Sequence, residues 1–422
     1  MVRDTDPRLT TPRSEPYAPA RRTPIWRRPF PPPPPPLRRG PFAPGAIRTA
    51  GRSEALSAWL GLWLGLAFGI CLVTGLISHG IQHPPGWFSW PTRPVSLYRV
   101  TQGLHVATGL ATVPLLLAKL WAVHPNLFRW PPVRDAADAL SRGTLLLLVG
   151  GAVFELASGV LNTARLYAVM GFAFPAAHFW TAWITTGALV IHVAAQATTV
   201  RRVLRQRHRP STALPPSDAA DASDAGFTRR AVFVTVAAAA GVVTLATVGQ
   251  TVRPLAGTSA LAPRRPDLGP QGLPVNRSAA GAGVRTTATH PGYRLVVAGP
   301  RPLRLSRAAL AAFPQHTAEL PIACVEGWSA SARWTGVRLR DLLAEAGIAS
   351  DVDVTIESLQ RAGAYRVSTL PAAFAQDPLT LLALRLNDEM LDLDHGFPCR
   401  LIAPNRPGVL QTKWVARIEV AR

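Results

Sequence analysis

Leu320–Trp334 reads LPIACVEGWSASARW. A lone cysteine, Cys324, closes a short apolar run and is followed at once by Glu326, Gly327 and Trp328, which puts its sulfur on a turn just past a strand. A free cysteine is among the most buried residue types and often behaves as a small hydrophobe. On this stretch alone, a packing residue and a soft metal ligand are both open readings. Around it, from Gln271 on, the chain runs in short alternating pieces: TTATH, YRLVVAG, LRLS, LPIACV, VDVTIESL, AYRVSTL, CRLIAPN and WVARIEV. Gly/Pro turns separate them, and helical runs fall at Val337–Ala346 and Pro378–Leu386. This predicts an α+β domain over 271–422, a mixed sheet with helices packed around it, long enough to bury its own core.

Upstream the composition is different. The chain of 422 residues is 48% hydrophobic, so membrane segments are expected. Its formal charge of +21 comes almost entirely from arginine, with Lys119 and Lys413 the only lysines. The arginines cluster in the first 52 residues, at Arg201–Arg209 and at Arg229–Arg230, flanking apolar runs. They read as topology signals, and no nucleic-acid partner is expected.

Residues 1–52, with Pro31–Pro36 and many arginines, are predicted to be a disordered tail, too proline-rich to be a cleavable signal peptide. Ala55–Ser78 carries no charge over more than the roughly 20 residues a bilayer requires. Three more spans follow at about Arg99–Val123, Gly143–Asn162 and Ala176–Val200, with Lys119 expected to snorkel toward the headgroups. The expected organisation is a tail (1–52), a four-helix membrane domain (53–205), a linker (206–228), a fifth helix (229–252), a second linker (253–270) and the C-terminal domain (271–422). The arginine distribution makes the tail cytoplasmic and the last domain extracytoplasmic, in a multi-pass cell-membrane protein surrounded by lipid. The fifth helix opens with FTRRAVFV (Phe227–Val234), which resembles a twin-arginine export signal; a plain positive-inside anchor fits the residues equally.

Ionisable groups inside a membrane are expensive and ask for a reason. His178 and His192 lie 14 residues apart on the fourth helix, about 21 Å along its axis and on one face. His105, flanked by Gly103, Ala107 and Gly109, can face His178, and neutral imidazole is a good iron ligand. Glu155 either carries a proton or hydrogen-bonds a neighbouring helix, and His79 and His83 read by default as interfacial histidines, with an alternative ligand or a quinone contact also open. The histidine pattern resembles the b-type cytochrome subunits of membrane formate dehydrogenases and nickel hydrogenases. That resemblance implies haem b held by His105 and His178, a second site at His192, and exchange of electrons with quinone or quinol. No histidine lies in Ser53–Trp63, where those cytochromes supply the second ligand of the inner haem, so one haem is expected and the second is open.

CVEGW together with Asp394–Val420, DHGFPCRLIAPNRPGVLQTKWVARIEV, resembles the molybdopterin domain of the sulfite oxidase family and its bacterial methionine-sulfoxide-reductase relatives. The resemblance implies that Cys324 is the sulfur ligand of molybdenum, and that His395 and Arg400 hold the pterin and its phosphate. It further implies that Gln411, Thr412 and Lys413 close over the phosphate and that Asn276, in LPVNRSAA, contacts the cofactor. Trp328, Arg333 and Trp334 either line the pocket or are structural, while Cys71 and Cys399 are expected to be free. The sequence ends at Arg422, with no counterpart to the immunoglobulin-like dimerisation domain of animal and plant enzymes, which places the expectation nearer the short bacterial members. The fold expected is thus multi-domain: an all-α transmembrane four-helix haem bundle with a fifth anchor helix, then an α+β sulfite-oxidase-like domain. The function expected is oxygen-atom exchange with a small extracytoplasmic donor or acceptor at molybdenum, wired through haem to quinone. The alternative is a haem relay or docking protein whose last domain is inactive.

Overall fold

Long apolar stretches satisfy their backbone groups internally, which favours helices. Five form: α1 (Glu54–Gln82), α2 (Leu97–Leu127), α3 (Ala136–Ala164), α4 (Phe174–Gln206) and α5 (Arg229–Val248). The computed structural model describes residues 54–127, 133–206, 229–262 and 268–421, together with positions 32, 34, 35 and 264. The predicted tail, nearly all of the 206–228 linker and the start of FTRRAVFV lie outside the described residues.

Helices α1 to α4 touch in a ring, α1 on α2, α2 on α3, α3 on α4 and α4 on α1, while α5 packs against α2. Leu56 and Leu60 of α1, Ala122 of α2, and Val232 and Val236 of α5 form one buried cluster. The fifth helix is therefore a member of the bundle rather than an anchor standing apart. Helices α1, α2, α3 and α5 are each long and apolar enough to cross a membrane. Helix α4, at 33 residues, is the longest of the five, but its two histidines and several threonines dilute its apolarity. Leu66, Leu117, Leu146, Trp180 and Val242, one from each helix, are exposed on the outside of the bundle, as residues facing lipid would be. Lys119 departs from the snorkelling expectation: its Nζ donates to the backbone O and Oγ of Ser57 on α1, at 2.6 and 2.7 Å.

The C-terminal domain holds two sheets where the sequence suggested one. The first runs β2 (Leu303–Leu305), β1 (Leu295–Ala298), β10 (Val415–Val420), β5 (Val354–Ser358), β6 (Val367–Leu370), and only β1 and β10 are parallel. The second runs β3 (Gln315–Ala323), β4 (Ser329–Arg338), β7 (Leu381–Leu386), β8 (Glu389–Met390), with β9 (Arg400–Ile402) also pairing with β7. Leu295, Val297 and Ile356 from the first sheet meet Val337, Leu382 and Leu401 from the second in one core, with α8 (Leu339–Glu345) packed in. The opposite face of the second sheet buries Leu320, Cys324, Trp328 and Trp334.

Two local expectations are corrected. Pro378–Leu386, rich in helix-forming leucine and alanine, contains strand β7 instead, because LLALRL sits between β4 and β9 and nearly all of it is buried. TTATH forms the short helix α6 (Arg285–Thr289) rather than a strand.

Consecutive bundle helices are antiparallel, so the end of α1, the start of α2, the end of α3, the start of α4 and the end of α5 share one end of the bundle. The C-terminal domain sits on that end. Tyr365 Oη donates to Gln82 Oε1 at 2.7 Å, and the Tyr98 N–H donates to Asn405 Oδ1, also at 2.7 Å. Arg93 pairs with Asp377 at 2.9 Å.

Candidate active site

Strand β3 ends at Ala323 and β4 begins at Ser329, leaving Cys324–Trp328 as the connecting turn. The Cys324 N–H donates to Trp328 O at 2.8 Å and the Gly327 N–H to Cys324 O at 3.0 Å. Gly327 has φ of 93°, a conformation that side chains resist, and a Cβ there would stand 3.0 Å from Val106 of α2. Cys324 is 1% exposed. Burial pushes its thiol up, Glu326 adds to the effect, and Lys413 and Arg165 act against it. A thiol in that setting is inert until a metal displaces its proton.

Around it the domain gathers buried positive charge. His395 ends a 3-10 turn, Leu393–His395, and Gly396 follows with φ of 117°. A Cβ on Gly396 would come within 3.1 Å of Arg400 Cβ and 3.2 Å of Lys413, so glycine allows these residues to close together. Arg400 is 2% exposed; its Nη1 donates to His395 O at 3.3 Å, and its guanidinium lies 5.3 Å from the Trp334 ring centre. Its Nε, fully buried, has no partner among the described residues. Burial lowers Arg400 to about 9 and nearby Cys324 opposes the shift. Lys413 Nζ donates to the backbone carbonyls Arg277 O (3.0 Å) and Asp394 O (2.7 Å); burial and then Arg400 push it well down. His395 is lowered to about 4, first by burial and then by Arg400, and its Nε2 lies 2.8 Å from Pro270 O. Buried cations of one sign, one with an orphaned N–H beside a thiol, fit a phosphate-bearing anion next to a metal. The residues present therefore fit molybdopterin.

Not every predicted contact joins this cluster. Gln411 accepts from the Ala403 N–H and donates to Ala403 O, both at 2.7 Å, and Thr412 Oγ1 meets Ser368 Oγ at 2.9 Å. Both side chains are turned into the protein. Asn276 lines a neighbouring cleft of about 430 Å³ together with Arg165, Pro270, Ser278 and Asp394. Arg333 pairs with Asp388 at the surface, and Cys399 lies in the other core beside Tyr293 Oη at 3.2 Å. Sequence reading missed Glu326, 7% exposed, which pairs with Arg165 at 3.3 Å. It also missed Arg406, buried and lowered to about 10 by burial, whose Nη1 has no partner. A charged residue in the uncharged turn after Cys324, and an arginine in the loop APNRPG, were the available signals.

In the bundle, the rings of His105 and His178 meet edge to face, 71° between their planes, with centroids 6.4 Å apart. His105 Nδ1 lies 3.1 Å from Thr74 Oγ1 and 3.0 Å from Cys71 O. His178 Nδ1 lies 3.0 Å from Ser158 Oγ and 3.1 Å from Glu155 Oε2. Each Nδ1 is thus engaged, the arrangement that orients Nε2 for a metal. Two imidazoles bound through Nε2 to one metal at about 2 Å would place their centroids roughly 6 Å apart, so this pair fits a haem iron. His192 lies further down α4, toward the far end of the bundle. His79 stacks on Phe179 of α4 at 3.8 Å. Val106, in contact range of the Gly327 position, follows His105 in sequence, so the Cys324 turn packs on the part of α2 that carries His105.

Residues 282–422 match the oxidoreductase molybdopterin-binding domain. The C-terminal part of the chain is a molybdopterin-binding domain of the sulfite oxidase type. It is similar to mitochondrial sulfite oxidase of Mus musculus, 33% identical over 157 residues that make up 30% of this chain and 29% of the mouse protein. It is also similar to the NAD(P)H nitrate reductase of Hordeum vulgare, 41% identical over 97 residues, 21% of this chain and 11% of the barley protein. The sulfane dehydrogenase SoxCD of Paracoccus pantotrophus matches at 28% identity over 31% of this chain and 38% of its own, with a TM-score of 0.28. The chain thus spans less than a third of the length of the mouse and barley proteins. The domain is that of a molybdenum-dependent oxidoreductase.

Proposed function

We propose that the chain is a membrane-bound molybdopterin enzyme in which electrons pass between a quinone pool, one haem b at His105 and His178, and molybdenum at Cys324. The reaction is oxygen-atom transfer to or from a small sulfoxide-like or sulfite-like molecule outside the cell. When bound, molybdenum supplies the oxygen-atom chemistry and haem supplies single-electron transfer. The chain's own residues do the rest. Cys324 would supply the sulfur ligand, Arg400 and Lys413 would bind the cofactor's phosphate, and His395 and Asn276 would contact the pterin. Thr74, Ser158 and Glu155 orient the two imidazoles. Trp328 and Trp334, 3% and 0% exposed, keep water from the sulfur.

The observation that carries this reading is the packing of the buried Cys324 turn on α2, with Gly327 against Val106, the residue after His105, whose ring lies 6.4 Å from that of His178. The arginine distribution supports an extracytoplasmic C-terminal domain, and the FTRRAVFV start supports export through the twin-arginine route, which carries folded cofactor-loaded domains. Quantifying molybdenum and haem in detergent-solubilised full chain tests the reading. One molybdenum and one haem per chain are expected; haem without molybdenum would leave the inactive relay, and a second haem would assign His192.

A further inference from the structure

The residues that follow Cys324 are held, one after another, by the membrane bundle. Val325 O accepts from Asn162 Nδ2 of α3 at 3.2 Å and from Gln102 Nε2 of α2 at 3.5 Å. Glu326 Oε1 pairs with Arg165 Nε at 3.3 Å and accepts from Tyr167 Oη, also at 3.3 Å. Gly327 O accepts from Thr251 Oγ1, just past α5, at 2.8 Å. The Ser329 N–H donates to Gln250 O at 2.9 Å.

Within itself the turn makes few bonds. The Cys324 and Gly327 N–H groups are paired internally, and Glu326 Oε2 accepts from Trp328 Nε1 at 3.2 Å. The carbonyls of Val325 and Gly327 have only bundle partners among the described contacts. Buried carbonyls and carboxylates left unpaired are costly, so this turn conformation belongs to the docked arrangement. The end of α3, which supplies half of the contacts, is itself unusual. Arg165, the C-cap of α3, has φ of 59° where glycine is the common choice, which directs its side chain out of the helix end toward Glu326.

We propose that the bundle is a working part of the molybdenum site: Asn162, Tyr167 and Thr251 are positioning residues that fix the turn at 325–327 and so aim Cys324 Sγ at the metal. The inference rests on the reading of Cys324 as the metal ligand. It predicts a composite site in which the matched domain, 282–422, lacks the groups that hold its own ligand loop.

The test uses the full chain in detergent, with Asn162→Leu, Thr251→Val, Thr251→Ser and, as a remote interface control, Arg93→Gln, which breaks the pair with Asp377. Two quantities are read: the alkylation rate of Cys324 by iodoacetamide in cofactor-free protein, followed by peptide mass spectrometry, and the electron paramagnetic resonance spectrum of molybdenum in loaded protein. Asn162→Leu and Thr251→Val are expected to raise the alkylation rate by about twofold to tenfold and to shift the molybdenum spectrum. Thr251→Ser, which keeps the hydroxyl, restores both, and Arg93→Gln leaves both at wild-type values. Wild-type values in Asn162→Leu and Thr251→Val, or an equal change in Arg93→Gln, would overturn the inference. Molybdenum retained in Cys324→Ser would remove the ligand assignment itself, whereas the alkylation series would still decide whether the bundle holds the turn.

Discussion

The two buried polar regions of this molecule are built on opposite principles. In the bundle each histidine of the pair has its Nδ1 within hydrogen-bond distance of a hydroxyl, a carbonyl or a carboxylate. The cluster in the C-terminal domain is charged and incomplete, with Arg400 and Lys413 answered, among the described residues, by backbone carbonyls and ring faces. In the two-sheet domain an incoming anion would offset the cost of burying those cations.

The sharpest way to break this contrast is to cross the two losses. Cys324→Ser is expected to abolish bound molybdenum while the haem absorption bands persist, and His178→Ala to abolish those bands while molybdenum persists. Metal analysis and visible spectra on the same samples check both. If either substitution removed both groups, the regions would not be separate sites.

Acid titration gives the next largest effect. The ring of His395 is lowered from 6.5 to about 4 in the fold, so as pH falls through that window the unfolded chain takes up a proton that the folded chain refuses. Stability of the cofactor-free domain therefore falls between pH 6.5 and 4, by up to about 3 kcal/mol, and levels off below. Thermal melts across that range should show the loss, and His395→Gln should flatten it. In the bundle, Glu155→Gln keeps a hydrogen-bonding oxygen beside His178 but removes the carboxylate. Haem affinity is expected to fall about tenfold, measured by haem titration of the apo-protein, with molybdenum content unchanged. The smallest effect has the opposite sign in stability and binding. Arg400→Met removes a buried charge without a counter-ion, so the cofactor-free domain should gain about 1 kcal/mol in denaturant melts while its molybdenum content drops.

Legibility from sequence followed the same division. Spans of uncharged residues such as Ala55–Ser78 declare a helix by length alone, and His105 and His178 are conspicuous there because polar groups are scarce. In the domain, local pattern gave the alternating strands β1, β5 and β10 but misjudged LLALRL, whose strand state is imposed by β4 and β9 on either side. Cys324, Arg400 and Lys413 were identifiable through a family resemblance, and the structure brings them together. Arg165 and Tyr167 were not, since each belongs to one module and acts on the other, and no periodicity encodes a contact across 159 residues. Gln411 and Thr412 illustrate the converse: they lie beside Lys413 in sequence, yet their side chains face Ala403 and Ser368.

Thr251 follows α5 by only a few residues and already touches the turn next to Cys324. Such a short tether makes meeting of the two modules intramolecular, so turnover should be indifferent to enzyme dilution and nearly so to salt, unlike a pair of diffusing redox partners. A detached copy of the last domain would have to be supplied at something on the order of millimolar concentration to take the tethered one's seat.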